Sequence, residues 1–142
     1  FFQKNKPALQ KLVQRNGLLK AKVVKEDEFE KDRRRLLNFG HTLGHAVEKQ
    51  YSLMHGEAVA VGMVFASRLS AEFLQFKGSD KLVQIIDNYG LPITAGYNKQ
   101  KVFDVLVSDK KREGEQMNFV LLEKIGKAVV KKIPLQEIFK HM

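Results

Sequence analysis

The chain has 142 residues, 44% of them hydrophobic, which is enough for one core of ordinary size or for one domain of a larger protein. It has no cysteine, so disulfides and thiolate metal sites are excluded and any transition metal must be held by histidine and carboxylate. No apolar run approaches the ~20 residues of a membrane span and no signal peptide is recognisable, so a soluble, cytoplasmic protein is expected; the net charge of +9 is spread over Lys4 to Lys25, Lys99 to Arg112 and Lys124 to Lys132 without an RNA-binding aromatic signature, which argues against nucleic acid.

The opening FFQKNK, without an initiator Met, reads as a fragment boundary. From Pro7 to about Lys25, apolar residues at Leu9, Leu12, Val13, Leu18, Leu19, Val23 and Val24 predict one or two amphipathic helices interrupted near Gly17. The charged KEDEFEKDRRR that follows reads as a loop or helix start leading into LLNFGHTLGHAVEKQY. From His55, GEAVAVGMVFASRLSAEFLQF is small or apolar almost all round, as in a central helix buried on most of its surface. Ser79 suits the N-cap of DKLVQIIDNYG, a helix closed by Gly90 and Pro92, and a further helix is expected from Lys99 to Ser108. MNFVLLEKIG and KAVVKKI favour strands around a glycine turn, and Pro134 opens a short terminal helix. The expected fold class is mainly α, several helices with one small β-hairpin and no internal repeat or interdomain linker.

Three of the four histidines, His41, His45 and His55, fall within fifteen residues. His41 and His45 are one helical turn apart, and the turn-like Tyr51 to Met54 can bring His55 back towards them. Clustered imidazoles suit a metal or a phosphate, although a histidine is often only a half-buried core residue and this HxxxH pair lacks a zincin's glutamate. Gly40, Gly44 and Gly56 each adjoin a histidine, and glycine in a helix costs about 1 kcal/mol relative to alanine, so clearance for a ligand or a partner helix is the reading for them.

The run LLNFGHTLGHAVE followed by HGEAVAVGM closely resembles the C-terminal domain of the 3-dehydroquinate synthase family. The resemblance extends upstream through LLKAKVVKEDE and downstream through GLP, the DKK at 109–111 and FVLL. It implies the dehydroquinate synthase-like, iron-containing alcohol dehydrogenase-like fold, with residues 1–142 as one helical C-terminal domain and an NAD-binding α/β domain upstream. The family turns the seven-carbon sugar acid phosphate DAHP into 3-dehydroquinate and phosphate on the shikimate route to aromatic amino acids. It does so by NAD-dependent oxidation, phosphate elimination, reduction and intramolecular aldol closure, with a divalent metal, usually zinc. These residues contain no glycine-rich phosphate loop following a strand, so no NAD site is expected on them.

The resemblance makes His41 and His55 metal ligands and places the third ligand, a glutamate, on the segment upstream; Glu57 has a structural place beside His55. His45 is implied near the substrate, in phosphate binding and proton handling, against the alternative of a helix-face histidine packed on neighbouring Lys or Glu. Asn38 matches a substrate-binding asparagine, and it is also a good N-cap for the GHT helix. Arg34 matches a carboxylate-binding arginine, though Asp32 replaces a common family glycine and Arg33 and Arg35 flank it. Lys20 matches a substrate-binding lysine, and Lys110, with Lys111 as the alternative, a phosphate contact. For each cation the other reading is a solvated surface charge. The isolated chain is expected to fold but not to turn over, and the whole enzyme to be a homodimer. The rival readings are another sugar phosphate cyclase, 2-deoxy-scyllo-inosose or epi-valiolone synthase, and a basic helical module binding nucleic acid or an acidic partner.

Overall fold

The computed structural model describes residues 5–29, 33–108 and 112–142, and divides the chain into two compact units, Phe1–Leu37 and Asn38–Met142. The first is built on helix α1, Lys6–Glu26. Asn5 caps it, its Oδ1 accepting from the Ala8 N–H at 3.1 Å, and Pro7 sits in the first turn, where no N–H is needed. The expected interruption near Gly17 does not occur. A glycine offers no hydrogen-bonding reason to break a helix, only a propensity cost of about 1 kcal/mol, and twenty-one residues of otherwise good formers absorb it. No residue of α1 is buried, and Leu12, Val13, Leu18 and Leu19 are exposed. At its C-terminal end Asp27 Oδ2 accepts from the Arg34 N–H at 3.0 Å and Arg33 pairs with Glu26 at 2.7 Å, folding the chain back into a 3-10 turn, Arg33–Asn38.

In the second unit, α2 (His41–Gln50) and α3 (His55–Leu74) form a tight helical hairpin. Their approach is set by glycine. A Cβ on Gly62 of α3 would lie 1.9 Å from the Gly40 carbonyl oxygen and 2.8 Å from the Gly44 nitrogen, and one on Gly44 would lie 3.0 Å from the backbone of Ala58 and Val59. Gly44 facing residues 58–59 and Gly40 facing residues 62–63 makes the pair antiparallel. Gly40 also holds φ +82° as the N-cap of α2, a conformation that favours glycine. The clearance read from the sequence therefore serves a partner helix at Gly40 and Gly44; around Gly56 nothing lies within 4 Å.

As its composition demands, α3 is the central helix, with ten residues from Ala58 to Ser70 buried. On one flank Ala60 and Val64 meet Ile86 of α4 (Ser79–Asn88). That helix ends as glycine dictates, Gly90 (φ +70°) donating to Asp87 and Leu91 donating to Ile86. On the other flank Phe65 and Leu69 join Leu43 and Val47 of α2, Val102 and Leu106 of α5 (Lys99–Val107), and a small sheet. The hairpin of β2 (Gln116–Lys124) and β3 (Lys127–Pro134) turns at Gly126, φ +83°. Its antiparallel register pairs Val120 with Val130, and a bulge falls between Leu122 and Lys124. A two-residue strand, β1 (Arg112–Glu113), adds an edge that DKKREGEQ had not suggested. Met117, Phe119, Leu121 and Ile133 carry the sheet's contribution to the core, and α6 (Leu135–His141) closes it with Ile138. The mainly helical architecture with a small β element is the one expected. No helix among the described residues is long and apolar enough to cross a membrane.

Candidate functional site

His41 is the first residue of α2, His45 lies one turn on, and His55 is the first residue of α3. The four-residue link between the helices, held by Leu53 N–H donating to the Tyr51 carbonyl, returns the chain so that the three rings converge. Their centroids are 5.3 Å (His41–His45), 5.7 Å (His41–His55) and 5.8 Å (His45–His55) apart. One ligand atom from each falls within 4.8 Å of the others, and among the described residues this is the one such trio. Nitrogens sharing a tetrahedral ion would stand about 3.4 Å apart, so modest ring rotations close the set.

Two rings are oriented from outside the cluster. His41 Nδ1 lies 3.2 Å from the Phe39 carbonyl oxygen and His55 Nδ1 3.1 Å from Glu48 Oε2. A carbonyl and a carboxylate oxygen only accept here, so Nδ1 is the donor in both rings and, in the neutral ring, Nε2 holds the lone pair. That is the arrangement of metal-binding histidines, whose other nitrogen is tied to a carboxylate or a backbone oxygen. The donor set thus fits a borderline-soft divalent cation with one or two positions left for other ligands. Glu57 is not part of it. Its Oε2 accepts from the Met54 N–H at 3.0 Å, capping the start of α3, the structural place expected of it.

Asn38, half-buried, ends the 3-10 turn, and α2 starts only at His41 with Gly40 as its N-cap, so Asn38 does not cap that helix. Arg34, in the first unit, is half-buried, and its Nη1 donates to the Glu28 carbonyl at 2.7 Å. Lys20 is exposed on α1. Lys110 and its alternative Lys111 lie outside the described residues. Glu48 was missed by sequence reasoning; its available signal was a carboxylate three residues beyond His45, on the same face of α2.

Residues 1–112 match the family model described as 3-dehydroquinate synthase C-terminal. The chain belongs to that family. It is 44% identical over 128 residues to a 3-dehydroquinate synthase of Methylacidiphilum infernorum, a match covering 85% of this chain and 36% of the relative. It is 38% identical over 129 residues to the 3-dehydroquinate synthase of Campylobacter concisus, covering 87% of this chain and 37% of that one. The chain thus spans little more than a third of the length of these curated relatives. Among solved structures it is similar to 2-deoxy-scyllo-inosose synthase in complex with carbaglucose-6-phosphate, NAD+ and Co2+, with TM-score 0.76 and 25% identity over 85% of this chain and 38% of that one. It also shares its fold with the 2-epi-5-epi-valiolone synthase of Streptomyces hygroscopicus subsp. jinggangensis 5008, solved with NAD+ and Zn2+, with TM-score 0.71 and 23% identity over 84% of this chain and 35% of that one.

Proposed function

We propose that this chain is the metal- and substrate-binding half of an enzyme that converts DAHP to 3-dehydroquinate and inorganic phosphate, with NAD held by an α/β domain upstream. The observation that carries the reading is the anchoring of Nδ1 in both His41 and His55, which leaves the lone pair on Nε2 of each neutral ring, in a trio with His45 whose ligand atoms lie within 4.8 Å of one another. The relatives' names supply the reaction, and the metal-bearing cyclases of the same fold supply the chemical class.

In this reading His41 and His55 hold a divalent ion, zinc by preference, and a glutamate of the upstream domain completes its protein ligands. When bound, the ion would supply Lewis acidity that lowers the proton affinity of a substrate hydroxyl. His45 donates a ring N–H to the substrate phosphate and carries a proton between the phosphate and the reacting carbon skeleton. Asn38 fixes a substrate hydroxyl through its side-chain amide. Arg34, with one nitrogen steadied by the Glu28 carbonyl, offers a planar guanidinium to the substrate carboxylate. Lys20 holds a further hydroxyl or ionised group, and Lys110 or Lys111 the phosphate. The working enzyme is a cytoplasmic homodimer; the isolated chain binds zinc weakly and does not turn over. Phosphate release from DAHP with NAD and zinc tests both halves of the claim. The full-length protein should show it and the 142-residue chain should not; no turnover by the former, or clear turnover by the latter, sinks the reading.

The likeness to 2-deoxy-scyllo-inosose synthase favours a second reading, a cyclase whose substrate lacks the carboxylate. Arg34 together with Asn38 weighs against it, as does the identity of 38–44% to relatives named for a carboxylate-bearing product, 3-dehydroquinate. Comparing DAHP, glucose 6-phosphate and sedoheptulose 7-phosphate as substrates of the full-length protein separates the two. Nucleic-acid binding that falls steeply with salt, with no response to metal or substrate, would instead favour a basic binding module.

A further inference from the structure

We propose that Glu48 is a positioning residue, which fixes the tautomer and ring plane of His55 so that its Nε2 lone pair, rather than an N–H, faces His41 and His45. This rests on the metal reading above. Glu48 lies on the last turn of α2 and reaches across the hairpin to the first residue of α3, with Oε1 3.3 Å and Oε2 3.1 Å from His55 Nδ1. Both oxygens sit close to one nitrogen, so the carboxylate brackets the ring edge and defines its plane.

The constraint is needed because of where His55 stands. Its side chain is 57% exposed, and at the first position of a helix no preceding turn of α3 packs against it. In water a neutral imidazole favours the proton on Nε2, which would turn a donor, not a lone pair, into the cluster. A carboxylate accepting from Nδ1 inverts that preference. His41 gets the same service from the Phe39 carbonyl, a backbone group that no substitution removes. His55 depends on a side chain. Glu48 also couples the helices, because the last turn of α2 then sets the aim of a ligand that begins α3.

Long-range 15N-edited NMR of the 142-residue chain, above the pH range of imidazole protonation, reads the tautomer without any metal. His55 should carry its proton on Nδ1 in the wild type and largely on Nε2 in Glu48→Ala. Glu48→Gln, whose amide oxygen still accepts, should restore the wild-type pattern. Titration with Co2+ followed by its visible spectrum should then show affinity 10- to 100-fold weaker for Glu48→Ala, with Glu48→Gln in between and the metal-free melting temperature of both unchanged. An Nε2–H tautomer for His55 in the wild type, or the same tautomer in Glu48→Ala, overturns the proposal and leaves an ordinary surface ion pair. If the wild type takes up no Co2+, the metal reading falls, while the tautomer measurement still decides what Glu48 does to His55.

Discussion

Replacing Gly62 by alanine puts the packing argument under the most direct strain. The new Cβ would stand 1.9 Å from the Gly40 oxygen, and ordinary contact begins near 3.4 Å, so α2 must retreat by roughly 1.5 Å at its N-terminus. Backbone on the other side cannot rotate away, so the steric cost belongs at the upper end of overpacking, about 3 kcal/mol; alanine's better helix propensity returns about 1, leaving a net loss of roughly 2 kcal/mol. For a chain of this length that lowers the melting temperature by roughly 6 °C. The same displacement moves His41 and His45 relative to His55, and metal sites tolerate only about 0.5 Å of misplacement, so Co2+ uptake should weaken along with stability. Gly17→Ala is the matched control: nothing lies within 4 Å of its Cβ, so it should leave Co2+ uptake unchanged and firm up α1. Thermal unfolding by circular dichroism and Co2+ titration of both variants suffice. A Gly62→Ala protein with wild-type melting and wild-type Co2+ uptake would refute the account of how the hairpin is held.

The other expectations concern single side chains. Ser70→Ala removes a buried hydroxyl that accepts from the Leu122 N–H at 2.9 Å and donates to the Ala66 carbonyl at 2.6 Å; it should cost about 2 kcal/mol in urea unfolding, and an unchanged midpoint would show that the bulge in β2 finds another partner. Burial raises the pKa of Tyr97, with Arg68 nearby opposing the rise, so the folded state resists ionisation longer than the unfolded one. The stability this contributes is whole below the unfolded tyrosine value of about 10 and is lost as pH climbs past it; Tyr97→Phe should flatten the alkaline decline, and an unaltered pH profile would remove Tyr97 from it. His41→Ala and His55→Ala should each abolish Co2+ uptake, whereas His45→Ala should keep it within a few-fold but stop phosphate release in the full-length protein. Equal loss of metal in all three would make His45 a ligand and overturn the division of roles.

The element order was readable because each helix and strand carries its own periodicity and its own stop signals, as Gly90 does for α4 and Gly126 for the hairpin. The helix starts were read less well. Ser79 is a good N-cap by type, yet Gly78 occupies that position, and the Ser79 hydroxyl instead lies 2.9 Å from Ser67 on α3 as the acceptor of its hydrogen bond. Asn38 lost the cap of α2 to Gly40 because a Cβ there would stand 2.7 Å from the Met63 nitrogen and 2.8 Å from the Val59 carbonyl oxygen, and its φ of +82° suits a glycine. In both cases a tertiary contact outbid a local preference, and one sequence shows only the preference. The histidine trio could be read from spacing; the tautomers of His41 and His55 could not, since the first is set by a backbone carbonyl and the second by a carboxylate on the neighbouring helix.

That difference bears on how such a site holds its geometry. A catalytic metal needs ligands placed within fractions of an ångström yet must keep a coordination position open, so rigidity has to come from behind the ligands rather than from a closed shell of them. Here it comes from two sources on the same hairpin. Glycine contacts between α2 and α3 fix where His41, His45 and His55 start from, and the Phe39 carbonyl and Glu48 fix how two of the rings are turned. The first is a packing constraint, and a methyl group destroys it. The second is a hydrogen-bonding constraint, and a methyl group does not touch it. Gly62→Ala should therefore weaken stability and metal together, while Glu48→Ala should weaken metal alone, and only a site braced in these two separate ways gives both results.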